Sequence, residues 1–377
     1  MPFEKLSLDP SILKAIANSG YTVPTPIQEQ AIPVVMAGSD ILASAQTGTG
    51  KTAAFTLPAL QLLVTQPPTD KNSRGPRILV LTPTRELAMQ VSKFAEQYSK
   101  FCKRLSVVSI LGGVPYFKQR QQMSRPIDIM VATPGRLIDY MGQGEIDFSR
   151  LEMLILDEAD RMLDMGFRDA VQEIASALPD TRQTLMFSAT IDASIKKLAQ
   201  RLLKNPVRIE VSSQTAKHEN IEQQLYYVAD LRMKKALLKE LLKDEDVKQA
   251  IIFTATKKTA DELADALYDD GIEAAALHGD LRQAARTRTI TALRSKRLRF
   301  LVATDVAARG IDVAGISHIF NFDLPRVPED YVHRIGRTGR AGAKGVAIAL
   351  AYPKERWQVK QIESYTGQPI KLSVKEG

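Results

Sequence analysis

Cysteine is almost absent from this 377-residue chain: Cys102 is the only one. That excludes intramolecular disulfides and any zinc site built from clustered thiolates, and it suits a reducing, cytoplasmic compartment. Aromatic residues make up 6% of the sequence and there is one tryptophan. Long hydrophobic runs are missing too. The longest stretch without a charge, Thr52 to Thr69, is broken by Pro58, Gln61, Thr65, Gln66, Pro67 and Pro68, so it does not read as a membrane span. The opening MPFEKLSLDP carries Glu4 and Asp9 and no apolar core, which argues against a secretory signal. Solenoid-type repeats and low-complexity segments are also lacking.

What is present is the composition of a folded, multidomain chain. Apolar residues make up 44% and charged residues 25%, enough to bury a core in each of two or three domains. The 51 Lys and Arg outnumber the 43 Asp and Glu, giving a net charge of +8. This excess is shared: residues 1–210 hold 24 basic and 21 acidic groups, and residues 211–377 hold 27 and 22. No basic tail explains it, and alone it fits a solvated surface as well as a polyanionic partner.

Short apolar, β-rich runs alternate with helical patterns. In the first half they are Asp40–Ala45, Arg77–Thr82, Asp128–Thr133, Met153–Glu158 and Thr184–Thr190. The rhythm resumes at Ala250–Thr256, Glu273–Gly279, Arg299–Asp305, Ser317–Asp323 and Gly345–Leu350. This is α/β grammar and predicts two domains, each a mostly parallel sheet with helices on both faces. The polar stretch Val211–Asn220 lacks both periodicities and reads as a linker between residues 1–210 and 221–377. Polar clusters fall just after the strands, where open parallel sheets bind ligands.

The first cluster is AQTGTGKT, Ala45 to Thr52, between a strand and a helical run. The segment Gln46, Thr47, Gly48, Thr49, Gly50 can close backbone N–H groups around phosphate oxygens at a helix N-terminus. Lys51 can reach the outer phosphates, and the Thr52 hydroxyl can face a magnesium ion. Ala45 stands where the strict pattern has glycine. The second cluster is Asp157 and Glu158 at the end of an apolar strand. Asp157 suits magnesium through its water shell and Glu158 suits polarisation of an attacking water, although two acids at a strand end also suit a helix cap. The phosphate loop upstream favours the first reading. A third cluster, HRIGRTGR, spaces Arg334, Arg337 and Arg340 by three residues around Gly336 and Gly339. Such arginines can stabilise charge on a transferring phosphoryl group, which predicts a composite active site in the cleft between the two domains.

Taken together, the residues resemble a family. GYTVPTPIQ (Gly20 to Gln28), AQTGTGKT, PTREL (Pro83 to Leu87), Gly112 with Gly113, TPGR (Thr133 to Arg136), DEAD (Asp157 to Asp160) and SAT (Ser188 to Thr190) come in order. HGD with Gln283 and Arg286, ATDVAARGID (Ala303 to Asp312) and HRIGRTGR follow. From Phe3 to about Leu350 the chain resembles the DEAD-box RNA helicases. Among bacterial members the stretch DLPRVPEDYVHRIGRTGRAG is most similar to the RhlE type.

The resemblance implies two RecA-like domains and an RNA-dependent ATPase that uses ATP and Mg2+ to separate short RNA duplexes. Alternatives are an ATP-gated RNA clamp with little unwinding, and a helicase that acts on DNA. It implies that Gln28 reads adenine, with Tyr21 or Phe3 stacking on the ring, and that Asp312 contacts the nucleotide. Ser188 and Thr190 would couple nucleotide state to RNA through Asp160 and His333. Arg85, Gly113, Thr133, Arg136, Thr256, Gly279, Arg286 and Thr304 would hold the RNA backbone without reading sequence. With so few aromatics, base stacking is not expected. A monomeric core, single-stranded or short-duplex RNA, and ribosomal or RNA-decay assemblies are the partners this likeness implies, with no role for a membrane.

Overall fold

The apolar runs of the sequence become strands. The structure, a computed structural model, describes residues 2–45, 49–66, 73–102, 105–211, 220–308, 313, 315–339 and 344–373. The chain divides into two units, Met1–Ser213 and Gln214–Gly377. The division falls inside the segment read as a linker, of which residues 212–219 lie outside the described residues.

The first unit holds β1 (Ile41–Ser44), β2 (Ile78–Leu81), β3 (Val107–Ile110), β4 (Ile129–Ala132), β5 (Met153–Leu156), β6 (Gln183–Ser188) and β7 (Val207–Glu210). They pair side by side in the order β3-β4-β2-β5-β6-β1-β7, every pairing parallel. Alternate side chains feed opposite cores, as the strand period of two requires. Ile78 and Val80, Ile129 and Val131, and Met153 and Ile155 enter one cluster with Phe55 and Phe187. Their neighbours Leu79, Leu81, Met130, Leu154 and Leu156 enter the other, with Tyr140 and Met186. Both faces are covered, which is why these strands read as unbroken apolar runs rather than as alternation.

The second unit holds β8 (Ile221–Tyr227), β9 (Ala250–Thr254), β10 (Ala274–Leu277), β11 (Phe300–Thr304), β12 (His318–Asn321), β13 (Gly345–Ala351) and β14 (Lys371–Leu372). Its order is β10-β11-β9-β12-β13-β8-β14, again parallel throughout. Counting strands from the start of each unit, the two orders are the same. Here too the sheet is buried on both faces, with Ile251 and Phe253 in one cluster and Ala250 and Ile252 in the other. The apolar pattern did not mark β3, β7, β8 and β14. Three of these are sheet edges and β8 lies next to one, so they are only partly covered and their side chains alternate or stay exposed.

Helices start where side chains cap them. Thr84 accepts a hydrogen bond from the Leu87 N–H at 3.3 Å to open the helix Arg85–Tyr98, which lays Leu87, Ala88, Val91 and Ala95 on the core. Thr256 does the same for Lys257–Asp269 through the Thr259 N–H at 3.0 Å.

At the opposite edge, Asp40 ties three elements together. Its buried carboxylate accepts from the Thr184 N–H at 2.7 Å and from the Lys204 N–H at 2.7 Å. Asp40→Ala strands both donors and is expected to lower stability by about 2–4 kcal/mol in chemical denaturation of the whole chain.

Candidate functional site

Parallel strands bring all their C-terminal ends to one edge of the sheet, and in the first unit that edge has two halves. On β5, β6 and β1, which are neighbours, the ends carry Asp157 and Glu158, Ser188 to Thr190, and the loop that leads to Lys51. On β2, β4 and β3, also neighbours, they carry Arg85, Thr133 with Arg136, and Gly112 with Gly113.

Lys51 opens the helix Lys51–Thr65, so the free N–H groups of its first turn face the loop. The lysine is buried, and its ammonium donates to the Ala45 carbonyl at 2.7 Å, spanning the loop from end to end. Gly50 has φ +93° and abuts Gln28: a Cβ there would stand 2.3 Å from the Gln28 Nε2. Only glycine fits. Thr49 and Thr52 are half-buried. Gln46, Thr47 and Gly48 lie outside the described residues.

The Gln28 amide is already engaged at both ends. Its Oε1 accepts from the Thr25 N–H at 3.0 Å and its Nε2 donates to the Gly50 carbonyl at 3.1 Å. The residue expected to read a base thus bridges a helix start and the phosphate loop. The two aromatics proposed to stack on that base differ sharply. Phe3 is 4% exposed and packs in the core with Leu6 and Ile12, whereas Tyr21 is 49% exposed. Burial spends the Phe3 ring on the core, so only Tyr21 is displayed for stacking.

Asp157 is 2% exposed, and its Oδ1 has no hydrogen-bond partner among the described residues. An orphaned carboxylate oxygen in a buried site is what an ion or its water would complete. Among the described residues no three His, Cys, Asp or Glu converge on a point. A cation here would therefore have at most two such ligands from the described residues and take the rest of its shell from hydroxyl, water and phosphate oxygens, the habit of Mg2+. Burial and then the neighbouring Glu158 push the Asp157 carboxyl up to about 7, against the pull of Lys51.

Glu158 has φ 54° and ψ 53°, a left-handed backbone that a glutamate adopts at a cost. Its buried carboxylate is paired with buried Arg161, one turn along, through Oε2 and Nη1. Sequence reasoning missed Arg161, although its spacing of three from Glu158 on a helix was a usable signal. Asp160 Oδ2 accepts from the Ala189 N–H at 3.0 Å, the Thr190 N–H at 3.2 Å and the Thr190 hydroxyl at 3.5 Å. Thr190 thus meets Asp160 as the resemblance implied. Ser188 does not: its hydroxyl donates to the Thr190 carbonyl at 2.7 Å and tightens the same turn.

In the other half of the edge, Arg85 lies against Gly112 and Gly113. A Cβ on Gly113, at φ +75°, would fall 2.2 Å from the Arg85 Nη1. Arg136 donates to the Val114 carbonyl at 2.8 Å and its guanidinium lies 4.1 Å from the Tyr116 ring centre. Thr133 is buried at the start of the helix Pro134–Gly142.

The second unit repeats the partition. Thr256 and Gly279 follow β9 and β10, and Thr304 is the last residue of β11, which lies between them. Arg286 is buried and donates to the carbonyls of His278 and Ala307 at 3.3 and 3.4 Å, joining the β10 and β11 loops. Arg334 corrects the sequence reading. It grips Asp305 with two bonds, at 2.6 and 2.7 Å, and donates to Asn321 Oδ1 and the Asp323 carbonyl. With its donors spent inside the unit and its side chain buried, it is a structural clamp and not a phosphate ligand. The helix Pro328–Ile335 ends between it and Arg337, so the three-residue spacing never becomes one face. Arg337 is buried beside a small cavity that His333, Asp330 and Phe253 also line. The His333 Nδ1 has no hydrogen-bond partner among the described residues; the nearest acid is Asp330 at 3.9 Å. Asp312 and Arg340 lie outside the described residues.

The sequence profile of the DEAD/DEAH box helicases matches residues 25–198, and that of the helicase conserved C-terminal domain matches residues 233–342. The chain is 46% identical to the ATP-dependent RNA helicase SrmB of Escherichia coli, over 99% of this chain and 83% of that protein. It is 43% identical to the DEAD-box ATP-dependent RNA helicase RhpA of Helicobacter pylori, over 98% and 73%. Its structure is similar to S. cerevisiae Dbp5 bound to RNA and ADP BeF3, with a TM-score of 0.87, 33% identity and coverage of 99% and 95%. It is also similar to Mss116 bound to ssRNA and UDP-BeF, with a TM-score of 0.90, 29% identity and coverage of 100% and 81%. The two RecA-like domains expected from the sequence are those of these structures. The likeness to the RhlE type remains a reading of Asp323 to Gly342.

The raised Asp157 carboxyl carries a pH signature. In the folded chain it keeps its proton up to about pH 7, while the unfolded chain loses it near 3.8, so ionisation costs stability as pH rises through that window. In the absence of nucleotide and divalent ions, the melting temperature of Asp157→Asn is expected to gain on the wild type as pH rises from about 5 to about 8. A pH-independent difference would contradict the assignment.

Proposed function

This chain belongs to the DEAD-box family of helicases, and from that premise we propose that it is an ATP-dependent RNA helicase coupling RNA-stimulated ATP hydrolysis to local unwinding of short duplexes. The observation that carries the reading is the divided edge of the first sheet. One half gathers a phosphate loop, a buried lysine and two buried acids. The other gathers cationic, hydroxyl-bearing and glycine positions suited to a sugar-phosphate backbone. The Asp160 contacts with Thr190 stand within the first half and tie the acid-bearing turn to the end of β6.

In this reading, the ATP phosphates lie on the loop and on the N-terminus of Lys51–Thr65, and the Lys51 ammonium leaves the Ala45 carbonyl for phosphate oxygens. Glu158 orients a water toward the γ-phosphorus. The new bond to the water oxygen forms as the bond to the bridging oxygen breaks, and ADP and inorganic phosphate leave. Mg2+, held through Asp157 and Thr52, would neutralise charge on the phosphates. Arg337 and Arg340 are proposed to stabilise the same developing charge. The backbone-contacting positions make binding salt-dependent and nearly blind to sequence, with 2′-hydroxyl contacts favouring RNA over DNA. A cytoplasmic setting and ribosomal or RNA-decay assemblies belong to the same proposal.

Glu158→Gln keeps the side chain's shape and loses its basicity. It is expected to bind ATP while hydrolysing it about 100-fold or more slowly, in an ATPase assay with saturating RNA. Hydrolysis at the wild-type rate would remove Glu158 from the mechanism. Lys51→Ala is expected to weaken nucleotide binding by about 10- to 100-fold, read by titration with a fluorescent ATP analogue. Stimulation of the wild-type ATPase by RNA but not by single-stranded DNA of the same sequence is the test of substrate class.

A further inference from the structure

Phe117 is 66% exposed and stands four residues beyond Gly113, second in the helix Tyr116–Met123. A lone exposed phenylalanine is ordinary; what sets this one apart is how firmly the peptide around it is held. Buried Gln119 accepts from the Leu111 N–H at 2.7 Å and donates to the carbonyls of Leu111 and Val114 at 3.2 and 3.1 Å. Arg136 takes the Val114 carbonyl as well, and the Arg85 guanidinium lies against both glycines. Tyr116 is fixed on several sides. Its hydroxyl donates to Asp139 at 3.0 Å, its carbonyl accepts from the Tyr140 hydroxyl at 3.2 Å, and its ring meets Tyr140 edge-on at 5.4 Å. The Arg136 guanidinium lies 4.1 Å from the Tyr116 ring centre. Of the two adjacent aromatics, one is built into the loop and the other is left to water.

An exposed aromatic ring carried on a firmly held backbone, four residues beyond Gly113 in a surface suited to a sugar-phosphate chain, offers a face to a flat partner with little backbone left to order. Every nucleobase has such a face, and stacking does not read sequence. We propose that Phe117 is a stacking platform for one unpaired base of the bound RNA strand. This rests on the RNA-binding reading above and deepens it. It also departs from the composition, which argues against stacking in general but leaves room for a single platform.

The test uses the full chain and single-stranded RNA carrying one 2-aminopurine, moved position by position, with a non-hydrolysable ATP analogue present. In the wild type, emission is expected to be quenched by stacking on protein at one position, and Phe117→Ala is expected to restore it. The same variant is expected to lower RNA affinity on the order of 10-fold, with an unchanged melting temperature because the ring is exposed. Phe117→Trp should keep both signals and Phe117→Leu should lose both, since an alkyl chain has no π face. Wild-type affinity and quenching in Phe117→Ala, or full retention in Phe117→Leu, would overturn the platform. If the wild type itself fails to bind RNA, the function proposed above falls first and this inference with it.

Discussion

Each sheet is parallel throughout, and the rest of the molecule depends on that. A parallel strand cannot be joined to its neighbour by a hairpin, so each connection crosses over, and every strand ends on the same side. The residues just past those ends are free of the packing demands that fix the strands as apolar on both faces. Chemistry collects there because nothing else in the fold leaves polar side chains both ordered and reachable.

Within the first unit, strand order then decides which chemistry meets which. β5, β6 and β1 are neighbours although far apart in sequence, so the two acids come close to the phosphate loop. Their burial makes the arrangement electrostatically tense: two adjacent carboxylates out of water raise the Asp157 carboxyl, while Arg161 and Lys51 supply opposing charge. The left-handed turn at Glu158 is a further cost carried by this site, and the surrounding packing holds it in place.

Strands covered on both faces were legible because they have no polar side to interrupt the apolar run; β2, β4, β5, β9 and β11 are of this kind. Edge strands were not, since β7 and β14 have little to bury. The site residues were legible as types, and their present engagements were not. Gln28 could be picked out as an amide beside the loop, but not as the bridge between Thr25 and Gly50, which depends on a contact between residues 22 positions apart. Arg334 was misjudged because its partners, Asp305, Asn321 and Asp323, come from two other strand ends. Phe3 was misjudged because burial of an N-terminal ring depends on the helices it packs beneath.

The repeated strand order bears on stoichiometry. In the second unit the strand equivalent to β1 is β8, and no glycine-rich loop follows it. The helix Leu231–Leu241 starts directly, and the Asp230 carboxylate accepts from the Met233 N–H at 2.8 Å. An anion already sits where a phosphate would dock. That helix still offers a lysine, and the end of β12 still offers an acid. Here, though, Lys234 and Asp323 pair with one another at 3.4 Å, and the lysine is enclosed by the rings of Phe322 and Tyr352. Among the described residues the two units thus share one strand order, but only the first keeps a lysine and an acid at these strand ends for the nucleotide proposed above; in the second the corresponding charges are turned inward as cement.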